Sequence, residues 1–163
     1  MDFSELCRRR FSARSYINRT VEQDKLNAIL EAGRLAPTAA NNQPQKIIVV
    51  QKDLDKFGEA ANIYGAPLAL IICADKNIAW KRPFDGKNTV DIDASIVTDH
   101  MMLAAADLGL DSVWICYFKP DILRRKFEIP DNLEPINILA IGYSDEQPAQ
   151  KNRKPLSDTV VFR

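Results

Sequence analysis

Apolar positions along this chain recur with two periods, and the changes of period mark out its elements. Residues 2–10 place Phe3, Leu6 and Cys7 at helical spacing, which predicts a short helix followed by irregular or extended chain through Asn18. Thr20-Val21-Glu22-Gln23 matches a capping box, in which the threonine hydroxyl and the glutamine side chain satisfy backbone donors reciprocally. Leu26, Ile29, Leu30 and Gly33 then share one helical face, and Pro37 ends the helix. Ile47-Ile48-Val49-Val50 is too short and too β-branched to favour a helix, so it predicts a buried strand, and residues 68–73 predict a second.

Residues 91–108 form the longest periodic segment. Thr89 stands as a cap, Asp91 and Asp93 lie in the positively polarised first turn, and Gly109 suits the stop. Ile92, Ile96, Val97, Met101, Met102, Leu103, Ala104, Ala105 and Leu108 cover more than one face, which predicts a central helix with contacts on several sides, some of them to a second subunit. Residues 112–117 predict a third strand, 119–127 a short helix with Pro120 near its start, and 136–141 a fourth strand ending at Gly142. The stretch 76–88, polar and carrying Pro83 and Gly86, predicts an exposed excursion, and the tail from Ser144 onward reads as an arm. Strands alternating with helices predict a two- or three-layer α/β or α+β protein.

Composition narrows the functional classes. A chain of 163 residues, 46% apolar and 27% charged, is expected to fold as one soluble domain. Lys+Arg and Asp+Glu balance at 22 each, so no overall field recruits nucleic acid or an anionic membrane. The start of the chain carries no signal peptide pattern and no apolar run reaches membrane-spanning length, which leads to the expectation of a cytoplasmic protein. Cys7, Cys73 and Cys116 form no metal-ligand spacing, and the single histidine, His100, has no nucleophile pattern around it. Neither a metal site nor a histidine-based triad is expected.

Two stretches carry candidate chemistry. Arg10-Phe11-Ser12-Ala13-Arg14 alternates guanidinium, hydroxyl and guanidinium, so in an extended chain all three project from one side. That pattern reads as an anion receptor, since the guanidinium fork matches phosphate, or as solvated surface charge. Lys151 and Arg153 repeat the alternation in the tail, with the same two readings. Residues 36–44, Ala-Pro-Thr-Ala-Ala-Asn-Asn-Gln-Pro, form a loop able to bring backbone close to a flat polar ligand, and ordinary turn chemistry explains it equally. Neither GxGxxG nor GxxxxGK[ST] is present, so the usual dinucleotide and triphosphate cradles are missing.

Taken together these stretches resemble the nitroreductase family of FMN proteins, in a short form. Arg10-x-Ser12-x-Arg14-x-Tyr16 is similar to the family's Arg-x-Ser-x-Arg-x-aromatic segment, and residues 36–44 to its Ala-Pro-Ser-x-x-Asn-x-Gln-Pro loop. Residues 104–114 resemble the end of its central helix and the next strand. Ile141-Gly142-Tyr143 followed by Lys151-x-Arg153 resembles its closing strand and arm.

The resemblance implies a mostly antiparallel central sheet flanked by helices, an α+β fold with a three-layer α/β-like arrangement. It further implies one FMN-binding domain over 1–163, an arm over about 144–163, and a homodimer with the long central helix at its interface. Arg10, Phe11, Ser12 and Arg14 would hold the cofactor with Lys151 and Arg153. Pro37, Thr38 and Asn41 would approach it from the other subunit, and backbone at Ile115 and Cys116 would face the reactive edge of the ring. Arg14 is the cation expected at the pyrimidine end. The Cys116 side chain is a positional match only, expected to be buried and inert.

The implied activity is transfer of hydride from NADH or NADPH through FMN to a nitroaromatic, quinone or similar electron-poor small molecule, with the cofactor carrying the chemistry and no catalytic side chain required. A relative with another flavin task, such as flavin reduction or reductive dehalogenation, and a flavin-binding regulatory module with little turnover, are the alternatives. Gln45 stands where the family often has an aromatic residue. The stretch between Asp75 and Asp91 is short compared with lidded members, leaving an open pocket for which Trp80, Phe84 and Phe118 are candidate walls.

Overall fold

The computed structural model describes residues 2–163 and contains four α-helices and a four-stranded sheet. In chain order these are α1 (Phe3–Arg9), α2 (Gln23–Leu35), β1 (Gln45–Val50), β2 (Leu68–Asp75), α3 (Val90–Asp107), β3 (Asp111–Ile115), α4 (Pro120–Phe127) and β4 (Leu133–Gly142). The strands are ordered β1-β2-β4-β3, and every neighbouring pair is antiparallel. The expected mixed α+β architecture is therefore the one observed.

β2 shows how the sequence builds the layers. All eight of its residues are buried, and alternate side chains pass to opposite faces. Leu68, Leu70, Ile72 and Ala74 join a cluster with α2 and α3, whereas Ala69, Ile71 and Cys73 join one with Phe57, Leu123 of α4 and Ile129. Each fully buried aliphatic side chain of this kind contributes roughly 1.5–3 kcal/mol relative to exposure. Two helical layers thus sandwich the sheet, and α1 packs outside α3.

Helix boundaries follow the expected periodicity with one correction. α2 starts at Gln23 with Glu22 as its cap residue and no side-chain capping bond, so the capping box at Thr20 does not form. The Gln23 side chain instead donates to Asn27 one turn on (2.9 Å), and the Glu22 carboxylate accepts from its neighbour Arg19 (2.8 Å) and from the distant Tyr143 hydroxyl (2.5 Å). Thr89 does occupy the cap position of α3, yet its hydroxyl donates to the Asp93 carboxylate at 2.8 Å and accepts from none of the first-turn amides. Gly109 stops α3 with φ of 76°, a left-handed conformation that glycine adopts without the strain a Cβ brings. None of the helices among the described residues is long and apolar enough to cross a membrane.

Candidate functional site

α3 spans 18 residues, about 27 Å at 1.5 Å per residue, and the candidate site residues divide between its two ends. At its C-terminal end, Gly109 turns the chain directly into β3. There Ser12 forms a parallel bridge with Ser112, and the Ala13 amide donates to the Ser112 carbonyl at 3.1 Å. The 10–16 segment is thereby laid along the sheet edge, extended as its alternation requires. Arg10 caps the C-terminus of α1 and, with Arg9 and Phe11, lines a small cleft against Ala106, Leu110 and Ser112.

The tail returns to this place. Lys151 Nζ donates to the carbonyls of Cys7 (3.0 Å) and Arg8, which are free acceptors at the C-terminal turn of α1. Loss of hydration, and after it the positive charges of Arg10 and Arg153, hold the Lys151 ammonium below its ordinary pKa. Lys151 is therefore close enough to feel a cation from each end of the chain. Among the described residues no carboxylate forms an ion pair with any of them; the ion pairs are local ones such as Arg19–Glu22 and Arg82–Asp85. An unneutralised convergence of this kind is the arrangement a phosphate would relieve.

Arg14 sits beside this group on the same segment, with its guanidinium exposed and one nitrogen donating to the Ser12 carbonyl at 3.3 Å. Its backbone is fixed by Glu146, whose carboxylate accepts from the Arg14 amide (2.6 Å) and the Ser15 amide (3.1 Å). Tyr16 anchors the segment further: its hydroxyl lies 3.2 Å from the Ala13 and Ala140 carbonyls, and burial, ahead of the nearby Asp111 and Glu146 carboxylates, raises its pKa. Sequence reading passed over Glu146, because an acid in a polar tail carries no periodic or motif signal.

At the opposite end of α3, the 37–44 loop lies against the first turn of the helix. Asp93, 1% exposed, accepts from the Ala39 amide through Oδ1 (2.8 Å) and from the Thr89 hydroxyl through Oδ2. Ala40, Asn41 and Gln43 all have φ near 50°, a conformation that costs a non-glycine residue roughly 1–2 kcal/mol. The Thr38 hydroxyl accepts from the Gln43 amide at 3.1 Å, and Asn42 donates to the Ile78 carbonyl at 2.9 Å. Pro37 and Asn41 are exposed, and Thr38 is partly buried. A strained backbone overdetermined in this way is typical of ligand-binding segments. In the sequence Asp93 stands only as an acid favourable to the first turn; a buried carboxylate aimed at a loop more than 50 residues away leaves no local trace. Gln45, immediately after the loop, keeps its side-chain oxygen buried without a partner.

β3 ends at Ile115, which is buried, and the chain then turns outward. Cys116 is exposed, correcting the expectation of a buried thiol: the strand stops one residue earlier, so no neighbouring strand covers position 116. Cys73 is the buried cysteine, its thiol pushed up to about 11 chiefly by burial. The candidate pocket aromatics also separate. Phe118 packs on the α4 side of the sheet, whereas Trp80 and Phe84 stay exposed on the excursion leading into α3, so the three do not bound one cavity.

Within one chain, then, Lys151 comes near Arg10 and Arg153, with Phe11, Ser12 and Arg14 following Arg10 along the same segment, while Pro37, Thr38 and Asn41 belong to the loop held at the first turn of α3. The sequence profile described as the Nitroreductase family matches residues 7–62 and 54–143. A nitroreductase family protein of Clostridium difficile 630 is 54% identical to this chain, with 99% of this chain and 98% of that one covered and a TM-score of 0.96. An FMN-dependent nitroreductase of Clostridium difficile R20291 is 30% identical, with 96% of each chain covered and a TM-score of 0.80. An FMN reductase [NAD(P)H] of Bacillus subtilis strain 168 is 31% identical over 166 residues, covering 88% of this chain and 66% of that protein. From its first arginine cluster to the end of β4, this chain belongs to the nitroreductase family.

Proposed function

We propose that this chain is an FMN-dependent oxidoreductase that works as a homodimer and passes reducing equivalents from NADH or NADPH to an electron-poor small molecule such as a nitroaromatic or a quinone. The observation that carries this reading is the convergence of Arg10 and Arg153 on Lys151, tied to α1 by the Lys151 hydrogen bonds and, among the described residues, with no ion-paired carboxylate. That donor set fits the dianionic phosphate of FMN. The names of the FMN-dependent nitroreductase and the FMN reductase among its relatives point the same way.

FMN, when bound, supplies the two-electron exchange between nicotinamide and acceptor. The chain's own residues bind and orient. Arg10, Lys151 and Arg153 hold the phosphate, Ser12 offers a hydroxyl beside it, and Arg14 sets a positive charge near the pyrimidine edge. Phe11, between Arg10 and Ser12, gives the segment an apolar side against α3, and the backbone at exposed Cys116, next to buried Ile115 at the end of β3, faces the ring.

The dimer follows from the length of α3. Asp93, which holds the 37–44 loop, and Ala106, which lines the cleft beside Arg10, are thirteen residues apart on the helix, about 20 Å, so the loop and the cation group do not grip one cofactor from the same chain. Two copies crossing antiparallel along α3 bring the loop of one to the cations of the other. Exposed Ile92 on α3 and exposed Leu156, Val161 and Phe162 on the tail supply apolar surface for such a contact. In this reading residues 1–163 form one flavin-binding unit with its arm at 144–163. Steady-state oxidation of NADH or NADPH by the purified protein in the presence of a nitroaromatic or quinone tests the activity. Turnover supports the enzyme, and flavin binding without turnover contradicts it.

A further inference from the structure

The 10–16 segment and the root of the C-terminal arm are joined by one carboxylate. Between Ala13, whose amide reaches the Ser112 carbonyl, and Ile17, whose amide reaches the Tyr143 carbonyl at 2.9 Å, the amides of Arg14 and Ser15 point away from the sheet. Their acceptor is Glu146 Oε2. Glu146 is in turn held by its own amide, which donates to the Ser144 hydroxyl at 3.1 Å. The Ser144 amide donates to the Asp111 carboxylate, also at 3.1 Å, at the first residue of β3. A continuous chain of hydrogen bonds thus runs from the sheet through the arm root to the backbone of Arg14. Five residues beyond Glu146, Lys151 makes the second tie, to the end of α1.

A carboxylate here is not required by packing. It adds negative charge beside a segment rich in arginine, where a neutral amide oxygen would also accept two hydrogen bonds. What the charge adds is strength, since hydrogen bonds from amides to a carboxylate are roughly twice as strong as neutral ones. We propose that Glu146 is a positioning residue that locks the 10–16 segment to the arm root, so that the cations on the two segments keep a fixed separation around a phosphorylated ligand. This rests on the reading of the cation group as the FMN phosphate site. Glu146 touches neither phosphate nor ring; it acts through the backbone of Arg14 and through the course of the chain toward Lys151 and Arg153.

The test compares the full-length protein with Glu146→Ala and Glu146→Gln by two measurements. Affinities for FMN and for riboflavin, which lacks the phosphate, are read from flavin fluorescence with flavin-stripped protein, and amide hydrogen exchange is followed over residues 11–18. Glu146→Ala is expected to weaken FMN about tenfold, the effect of about 1.4 kcal/mol, while riboflavin changes little and the Arg14 and Ser15 amides exchange faster. Glu146→Gln, which keeps an acceptor oxygen, is expected to recover most of the affinity and protection.

Unchanged exchange in Glu146→Ala overturns the lock itself. Faster exchange with unchanged FMN affinity overturns the positioning role while leaving the flavin reading intact, and equal losses for FMN and riboflavin also overturn it, as general damage to the fold. A wild-type protein that binds neither flavin refutes the phosphate-site reading, and the positioning role with it.

Discussion

At the N-terminal end of α3 one buried carboxylate fixes a loop through its backbone, whereas at the C-terminal end a cluster of partly buried and exposed cations is held by contacts between segments distant in sequence. Asp93 acts over a single hydrogen bond to Ala39, and the 37–44 loop then presents strained backbone and small side chains. The other end gathers α1, the 10–16 segment, the start of β3 and the tail, and presents guanidinium and ammonium groups. The first arrangement suits a flat ring that must be approached closely, and the second suits a multiply charged tail. In the proposed dimer one cofactor, FMN, meets both features, with the two grips divided between copies.

The comparison is sharpened by substitutions that should affect one end only. Asp93→Ala is expected to have the largest effect. It leaves the partly buried Ala39 amide without its acceptor and the Thr89 hydroxyl with only the Trp80 carbonyl, costing on the order of 3 kcal/mol in denaturant unfolding. A loss below about 1 kcal/mol would mean that the loop holds itself.

Gly142→Ala comes next, at the opposite end. A Cβ there would lie 2.7 Å from Pro67 Cδ and 2.8 Å from Tyr16 Cδ1, so the tyrosine that anchors the 10–16 segment must shift. Overpacking of this kind costs about 2 kcal/mol, and thermal unfolding would show it. Arg153→Ala should leave folding intact and weaken FMN about tenfold, or about 1.4 kcal/mol, as measured by fluorescence titration; Arg14→Ala should act similarly. Full retention of flavin by both variants would contradict the assignment of the cation group.

The smallest effect concerns acid. The Tyr143 hydroxyl first, and Arg19 second, hold the Glu22 carboxyl at about 2 against an ordinary 4.5. Because the folded-state value is depressed, the contribution of this contact is complete above pH 4.5 and fades as pH falls toward 2. Between those limits the wild-type melting temperature should fall more steeply than that of Glu22→Gln. Parallel slopes would show that the contact near the end of α3 carries no net charge effect.

How much of this was legible in the sequence depended on whether the signal was local. The strands and α3 were visible because apolar residues recur at fixed spacing, and Pro120 and Gly109 mark a helix start and a helix end by their own backbone preferences. The Arg10-Ser12-Arg14 alternation was legible as a one-sided pattern, and the extended bridge to Ser112 gave it the conformation that pattern needs. The capping box at Thr20 misled because the helix starts only at Gln23, three residues past the threonine, and the Gln23 side chain donates to Asn27 within the helix instead of reaching back. Asp93 and Glu146 were illegible as site residues because each acts on a backbone amide that sequence distance hides. Cys116 looked buried because the strand seemed to run through it, whereas β3 stops at Ile115.

The central claim is that the cofactor is held by cations from one copy and by the loop of another. Sedimentation velocity followed at the visible absorbance of the flavin, on protein reconstituted with FMN, tests it most directly. The account predicts that all bound colour travels with a species of twice the chain mass. Flavin sedimenting stably with a single chain, or protein that remains colourless in excess FMN, would contradict it.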